Sequence, residues 1–254
     1  MQNKRGRKGV RPAKGLKNRF LVIIKYLFIY IPLSFLAVSL LSVLVMKWVP
    51  VYCTPLMIIR SVGHISDKTF KSYKTWKPLE KISPNMQMAV MASEDTRFLE
   101  HMGFDWVEID NALDAGKKGR RIRGASTISQ QTAKNVFLIP SRSWIRKGFE
   151  AYFTLGIELI WGKRRILEVY LNVAEMGRGI YGAEAAANQL FQKSAQKLTS
   201  RESSLIAATL PNPLKRRANT PSAYISSRAS DIQALMGMIE VPEWLKTSKK
   251  KKNE

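Results

Sequence analysis

The chain opens on an apolar run and then settles into helical spacing. From Tyr26 to Met46 there are 21 residues without a charge, interrupted only by Pro32, Ser34, Ser39 and Ser42. As a helix this run covers roughly 31 Å at ~1.5 Å per residue, enough to cross a bilayer. Further on, Ser83-Pro84 reads as an N-cap with proline at the first helical position. Met86, Ala89, Val90 and Ser93 carry that helix to Glu94. A second helix is predicted from near Ser126 to about Asn135, and a third from around Ser143 through Trp161 to a glycine stop at Gly162. Ile166, Leu167, Tyr170 and Leu171 mark the inner face of a fourth, which ends before Gly177, Gly179 and Gly182. Thr199-Ser200-Arg201-Glu202 is a capping box ahead of Leu205, Ile206 and Leu210, with Pro211 and Pro213 closing the helix. No segment of any length alternates as a strand would, and nothing repeats. The pattern predicts an all-α domain behind one membrane-spanning helix.

Charge gives the span a direction. The first 19 residues hold Lys4, Arg5, Arg7, Lys8, Arg11, Lys14, Lys17 and Arg19 and no acid, which the positive-inside rule places in the cytoplasm. A cleaved signal peptide would have an apolar region of only ~7 to 15 residues ending in small residues; this one ends Lys47-Trp48-Val49-Pro50. The expectation is a retained anchor with the remainder on the outer side. The 254 residues carry 42 Lys+Arg against 19 Asp+Glu, a formal charge of +23. Nine of those cations and none of the acids lie in residues 1–46, so residues 47–254 are still +14. Nucleic acid is the default partner of a basic protein, but an outward-facing domain meets none, which leaves phosphate-bearing lipids or acidic wall polymers. The predicted divisions are a basic cytoplasmic tail (1–19), a transmembrane helix (20–46), a juxtamembrane connector (47–81), a globular domain (82–240) and a basic tail (241–254).

Composition removes several chemistries. The single Cys53 excludes an intrachain disulfide, and His64 and His101 without a cysteine pair are too few soft ligands for a zinc site. There is no GxxxxGK[ST], HExxH or GxSxG. Ser194 to Lys197 fits SxxK, but neither SDN nor KTG accompanies it.

Two carboxylate segments flank a basic, amide-rich one. Glu94 and Asp95 stand at the C-terminal end of a helix, whose dipole opposes ionisation and raises a glutamate's pKa, as a general base requires. The same pair also fits a plain cap or a partner for Arg97. Ser126, Gln130 and Lys134 recur every four residues, with Thr127 and Gln131 beside them, behind a loop holding Lys117, Lys118, Arg120, Arg121, Arg123 and Gly124. That combination makes an anion site or, equally, a solvated face. Arg142, Arg146 and Glu150 continue the four-residue spacing, which an ordinary surface pair explains as well.

Taken together these segments resemble a known family. The blocks are Glu94-Asp95-x-x-Phe98-x-x-His101-x-Gly103-x-Asp105, Gly124-Ala125-Ser126-Thr127-Ile128-x-Gln130-Gln131-x-x-Lys134-Asn135 and Arg146-Lys147-x-x-Glu150, followed by Ile166-Leu167-Glu168-x-Tyr170-Leu171-Asn172 and Leu205-Ile206-Ala207 leading to Pro211-x-Pro213. Five blocks in order over residues 82–213 are similar to the monofunctional peptidoglycan glycosyltransferases, relatives of the glycosyltransferase domain of class A penicillin-binding proteins. The resemblance implies a lysozyme-like, two-lobed α-helical fold, and the chain has no length left for a transpeptidase domain. It implies that lipid II is polymerised into β-1,4-linked strands with release of undecaprenyl pyrophosphate, by inverting single displacement. Glu94 matches the catalytic base and Glu150 the second carboxylate. Asp95, Ser126, Gln130, Gln131, Lys134, Asn135, Arg142, Arg146 and Lys147 match the substrate-binding groups. Glu150 has three open roles: to position these cations, to hold a divalent cation (Mg or Mn) at the phosphate, or to assist departure. No organic cofactor is implied. His101, Asp105, Glu168 and Asn172 are expected to be scaffold. The implied partners are lipid II, the growing glycan strand, the membrane and other cell-wall synthesis proteins, with no nucleic acid, and the implied location is the inner membrane with a periplasmic domain. Two other readings remain at this point: a lytic, glycan-cleaving enzyme and a non-enzymatic, membrane-anchored wall-binding protein. Val136 to Pro140, with Trp144 behind, is expected at the bilayer surface, or else packed between lobes.

Overall fold

The computed structural model describes Arg19 and residues 22–119, 126–141 and 143–250. Two compact units divide at residue 42. The first contains most of the apolar helix, which runs from Val22 to Met46. Tyr26–Tyr30 winds as a π-helix ahead of α1 (Ile31–Met46), and the Ile31 N–H reaches back five residues to the Tyr26 carbonyl. Pro32 explains the widening: its ring would collide with the carbonyl four residues earlier and it donates no hydrogen bond.

The second unit is built from α2 (Pro55–Gly63), α3 (Pro84–Glu94), α4 (Trp106–Lys117), α5 (Ile128–Phe137), α6 (Trp144–Val173), α7 (Ala183–Phe191), α8 (Ser200–Thr209), α9 (Ala223–Met236) and α10 (Glu243–Lys250). The helices form two packing groups: α3 against α8 and α9, and α5 along α6 with α2 beside it. Residues 86–92 of α3 are all buried, so this helix is apolar on every side because neighbours surround it. Its one long polar residue there, Gln87, is satisfied. Its amide donates to the Leu79 and Ile82 carbonyls at 3.1 and 3.0 Å and its oxygen accepts from Trp244 Nε1 at 3.0 Å. Val51, Met57 and Leu79, from the stretch read as a connector, are buried in the same core.

The capping boxes and stops carry the local folding. Ser83 caps α3 ahead of Pro84, and Thr199 with Glu202 closes a full capping box on α8. α5 begins at Ile128 rather than Ser126, because Thr127 is its N-cap and Gln130 returns the bond to complete another box. The predicted third and fourth helices run on as one element, α6, broken at Gly162 (φ 73°, ψ 164°). No other residue type holds that conformation readily. A small sheet was not anticipated. β1 (Tyr73–Lys74) pairs parallel to β3 (Ile180–Tyr181), which pairs antiparallel to β2 (Glu175–Gly177). Strands of two and three residues are too short to show alternation. Gly182 (φ 81°) closes the turn out of β3, and a Cβ there would lie 2.7 Å from the Asn172 carbonyl oxygen.

Candidate active site

Glu94 is the last residue of α3 and Asp95 its C-cap. The two carboxylates leave the helix end in different directions. Asp95 is buried; its Oδ2 accepts the Ile128 N–H at the start of α5 (2.9 Å) and its Oδ1 pairs with His101 Nε2 (2.9 Å). The Gly103 N–H donates to His101 Nδ1 at 3.2 Å, which assigns the proton to Nε2 and makes His101 the donor to Asp95. Glu94 is half-buried. Its Oε2 accepts from Gln131 Nε2 at 2.9 Å and its Oε1 from Ser93 Oγ at 3.4 Å. The Tyr170 hydroxyl, on a fully buried ring, donates to Gln131 Oε1 at 3.3 Å and so sets which way the amide faces. Arg228, on α9, donates to Ser93 Oγ at 3.4 Å.

Burial pushes the Glu94 carboxyl above its ordinary range, against the Gln131 hydrogen bond and the charges of Arg228 and Lys134. The expected direction holds, with desolvation as its main cause. Lys134 is lowered by its own burial and by Arg146 and Lys147, while Glu150 and Glu94 oppose the shift. One ammonium thus feels both glutamates. Glu150, 3% exposed, is gripped by Arg146 at one oxygen and Lys147 at the other. A cavity of 580 Å³ opens beside this cluster, lined by Lys134, Asn135 and Arg146 and also by Arg60 and Glu175.

The structure therefore gathers Glu94, Gln131, Lys134, Asn135, Arg146, Lys147 and Glu150. Ser126 is exposed just ahead of α5. Asp95 and Gln130, expected among the substrate-binding groups, are instead both engaged inside the protein. Asp95 anchors α5, and Gln130 Oε1 accepts the Thr127 N–H at 3.0 Å. Four-residue spacing put Gln130 on the face of Lys134, but the capping box turns its side chain back. Arg142 and the loop cations Arg120, Arg121 and Arg123 lie outside the described residues. His101 and Asp105 are scaffold, as expected: Asp105 caps α4 through the Glu108 N–H (3.1 Å) and pairs with Arg97 (3.1 Å). The ligand atoms of Asp95, His101 and Asp105 lie within 4.8 Å of one another, yet the bonds above already use them. Glu168 and Asn172 bond backbone, to the Leu79 N–H (3.1 Å) and the Lys77 N–H (2.8 Å). Tyr170 and Arg228 were missed as site residues. Tyr170 reads as part of an apolar face and of a family block with no role of its own, and Arg228 lies beyond the last block.

This arrangement sits in a stretch that a family model recognises: the one described as transglycosylase matches residues 61–237. The chain belongs to the transglycosylase family. Among relatives named biosynthetic peptidoglycan transglycosylase, one from Bacteroides thetaiotaomicron is 55% identical over 206 residues, 81% of this chain and 83% of the relative. One from Bdellovibrio bacteriovorus is 53% identical over 197 residues (77% and 79%), and one from Pasteurella multocida 48% over 207 residues (81% and 84%).

In this transglycosylase Asp95→Ala leaves the Ile128 N–H and His101 without their partner. It should lower stability by about 2–4 kcal/mol in thermal melting. Unchanged melting with weakened substrate binding would instead return Asp95 to the substrate-binding set.

Proposed function

We propose that this transglycosylase polymerises lipid II into β-1,4-linked glycan strands. Glu94 takes the proton of the acceptor sugar's 4-hydroxyl as that oxygen bonds to the anomeric carbon of the donor. The bond from that carbon to the diphosphate breaks, and undecaprenyl pyrophosphate leaves with the electron pair. A single displacement at an α-linked donor inverts the centre and makes the β linkage. The observation that carries this reading is a half-buried glutamate of raised pKa, hydrogen-bonded to Gln131 and coupled to Lys134, which in turn is coupled to Arg146 and Lys147. A diphosphate departs on charge neutralisation more than on protonation, which is what these cations provide. Cleavage of an uncharged glycosidic bond has no use for them.

For Glu150 the contacts favour the first of its three roles. Both of its oxygens are held by resident cations, and among the described residues it belongs to no group of three His, Cys, Asp or Glu ligands. This donor set does not suit a divalent ion, and no step is assigned to one. Glu150 instead holds Arg146 and Lys147 toward the leaving group.

The Val22–Met46 helix is the membrane anchor, and we place residues 1–19 inside and the catalytic unit outside on the strength of the basic tail. At the junction of α5 and α6, Ile139, Trp144 and Ile145 are 64%, 93% and 76% exposed, suited to contact with a bilayer. Phe137 of the same stretch faces inward, stacked on Phe153 at 4.4 Å between ring centroids.

Glu94→Gln should cost ~10²- to 10⁴-fold in polymerisation with lipid II still bound. A base works only when deprotonated, so wild-type activity should fall with decreasing pH through a midpoint above the ordinary carboxylate range. Gln131→Ala removes a bond that favours the charged form, which moves that midpoint higher. A midpoint that stays put or drops in Gln131→Ala would count against the assignment. Ile139→Ser with Trp144→Ser should weaken binding of residues 43–254 to lipid vesicles while melting is unchanged; vesicle binding equal to wild type would refute the membrane contact.

A further inference from the structure

The 580 Å³ cavity is also lined by a pair that the reaction above does not use. Arg60, on α2, meets Glu175, at the start of β2, through one contact of 3.3 Å. That is long for a charge-assisted bond. The Glu175 side chain is 10% exposed, and among the described residues its Oε1 accepts no hydrogen bond. Arg60 Nε is likewise buried without an acceptor, as is the hydroxyl of Tyr181, the residue opposite Glu175 in the β2–β3 register. Three orphaned polar atoms around one carboxylate are costly in a folded protein. The pair also lines a second, smaller cavity of 180 Å³.

Which ligand group satisfies these atoms follows from their chemistry. Arg60 Nε and the Tyr181 hydroxyl are donors that any acceptor satisfies, whereas Glu175 Oε1 is an acceptor and cannot take a diphosphate, which offers acceptors only and suits the Lys134 and Arg146 cations lining the same cavity. Glu175 Oε1 needs a donor, a hydroxyl or an amide N–H. On a lipid-linked saccharide such groups begin on the ring carbon next to the anomeric carbon that carries the diphosphate. We infer that Glu175 is a specificity-determining residue that accepts a hydrogen bond from a hydroxyl or amide N–H of the saccharide whose diphosphate lies at Lys134 and Arg146. Arg60 is its positioning residue, holding the carboxylate on the cavity wall until the saccharide arrives. The assignment rests on the function proposed above and adds where the sugar, as distinct from the phosphate, is read.

The test compares two ligands on the full-length protein in detergent: lipid II, and undecaprenyl diphosphate, which lacks the saccharide. Glu175→Ala should weaken lipid II binding on the order of tenfold or more and leave the bare diphosphate as tight as before or tighter. Glu175→Gln, which keeps a carbonyl acceptor, should retain most of the lipid II affinity. If Glu175→Ala melts well below wild type, Glu175→Met fills the space without an acceptor and reads the same difference. Equal loss on both ligands would make the pair structural or phosphate-binding and overturn the inference. So would lipid II affinity unchanged in every Glu175 variant of a protein that polymerises it. A wild-type protein that makes no polymer would overturn the function on which the subsite rests.

Discussion

The Asp95 carboxylate at the start of α5 is the contact on which the site depends. It receives the first N–H of that helix and the His101 ring, so the C-terminal end of α3 is joined to the N-terminal end of α5. A negative charge there also complements the α5 dipole. Because Glu94 precedes Asp95, tying one side chain into the scaffold fixes where the other emerges. Because Gln131 and Lys134 lie on α5, the same tie sets their distance from Glu94. One buried carboxylate positions Glu94, its hydrogen-bond donor and a cation.

The two glutamates then become unlike through their surroundings. Glu94 has neutral donors, Gln131 and Ser93, in direct contact and its cations at one remove. Desolvation outweighs these groups and its proton affinity rises. Glu150, more deeply buried, has two cations on its oxygens. Lys134 couples to both, and so links the proposed base to the proposed diphosphate-binding cations.

Much of this was legible where the signal is local. Ser83-Pro84, the Thr199 capping box and Gly162 each act within one turn of chain, and each is where the pattern placed it. Glu94 at a helix end was equally readable, since helix length and position followed from Met86, Ala89 and Val90. The misreadings are long-range or depend on where a side chain turns. Periodicity put Gln130 on the face of Lys134, whereas its capping bond to Thr127 draws it inward. Asp95 could have been a ligand until its partner 33 residues away, Ile128, was known. The Arg60–Glu175 pair spans 115 residues, with no pattern to link its halves.

The claim that burial makes Glu94 a base of raised pKa is most directly tested by watching that carboxyl titrate. Isotope-edited infrared difference spectra of wild type minus Glu94→Gln, followed across pH, isolate its protonated carboxyl band. The band should fade with a midpoint above the ordinary glutamate range. Loss of the band in the usual carboxylate range would contradict that claim.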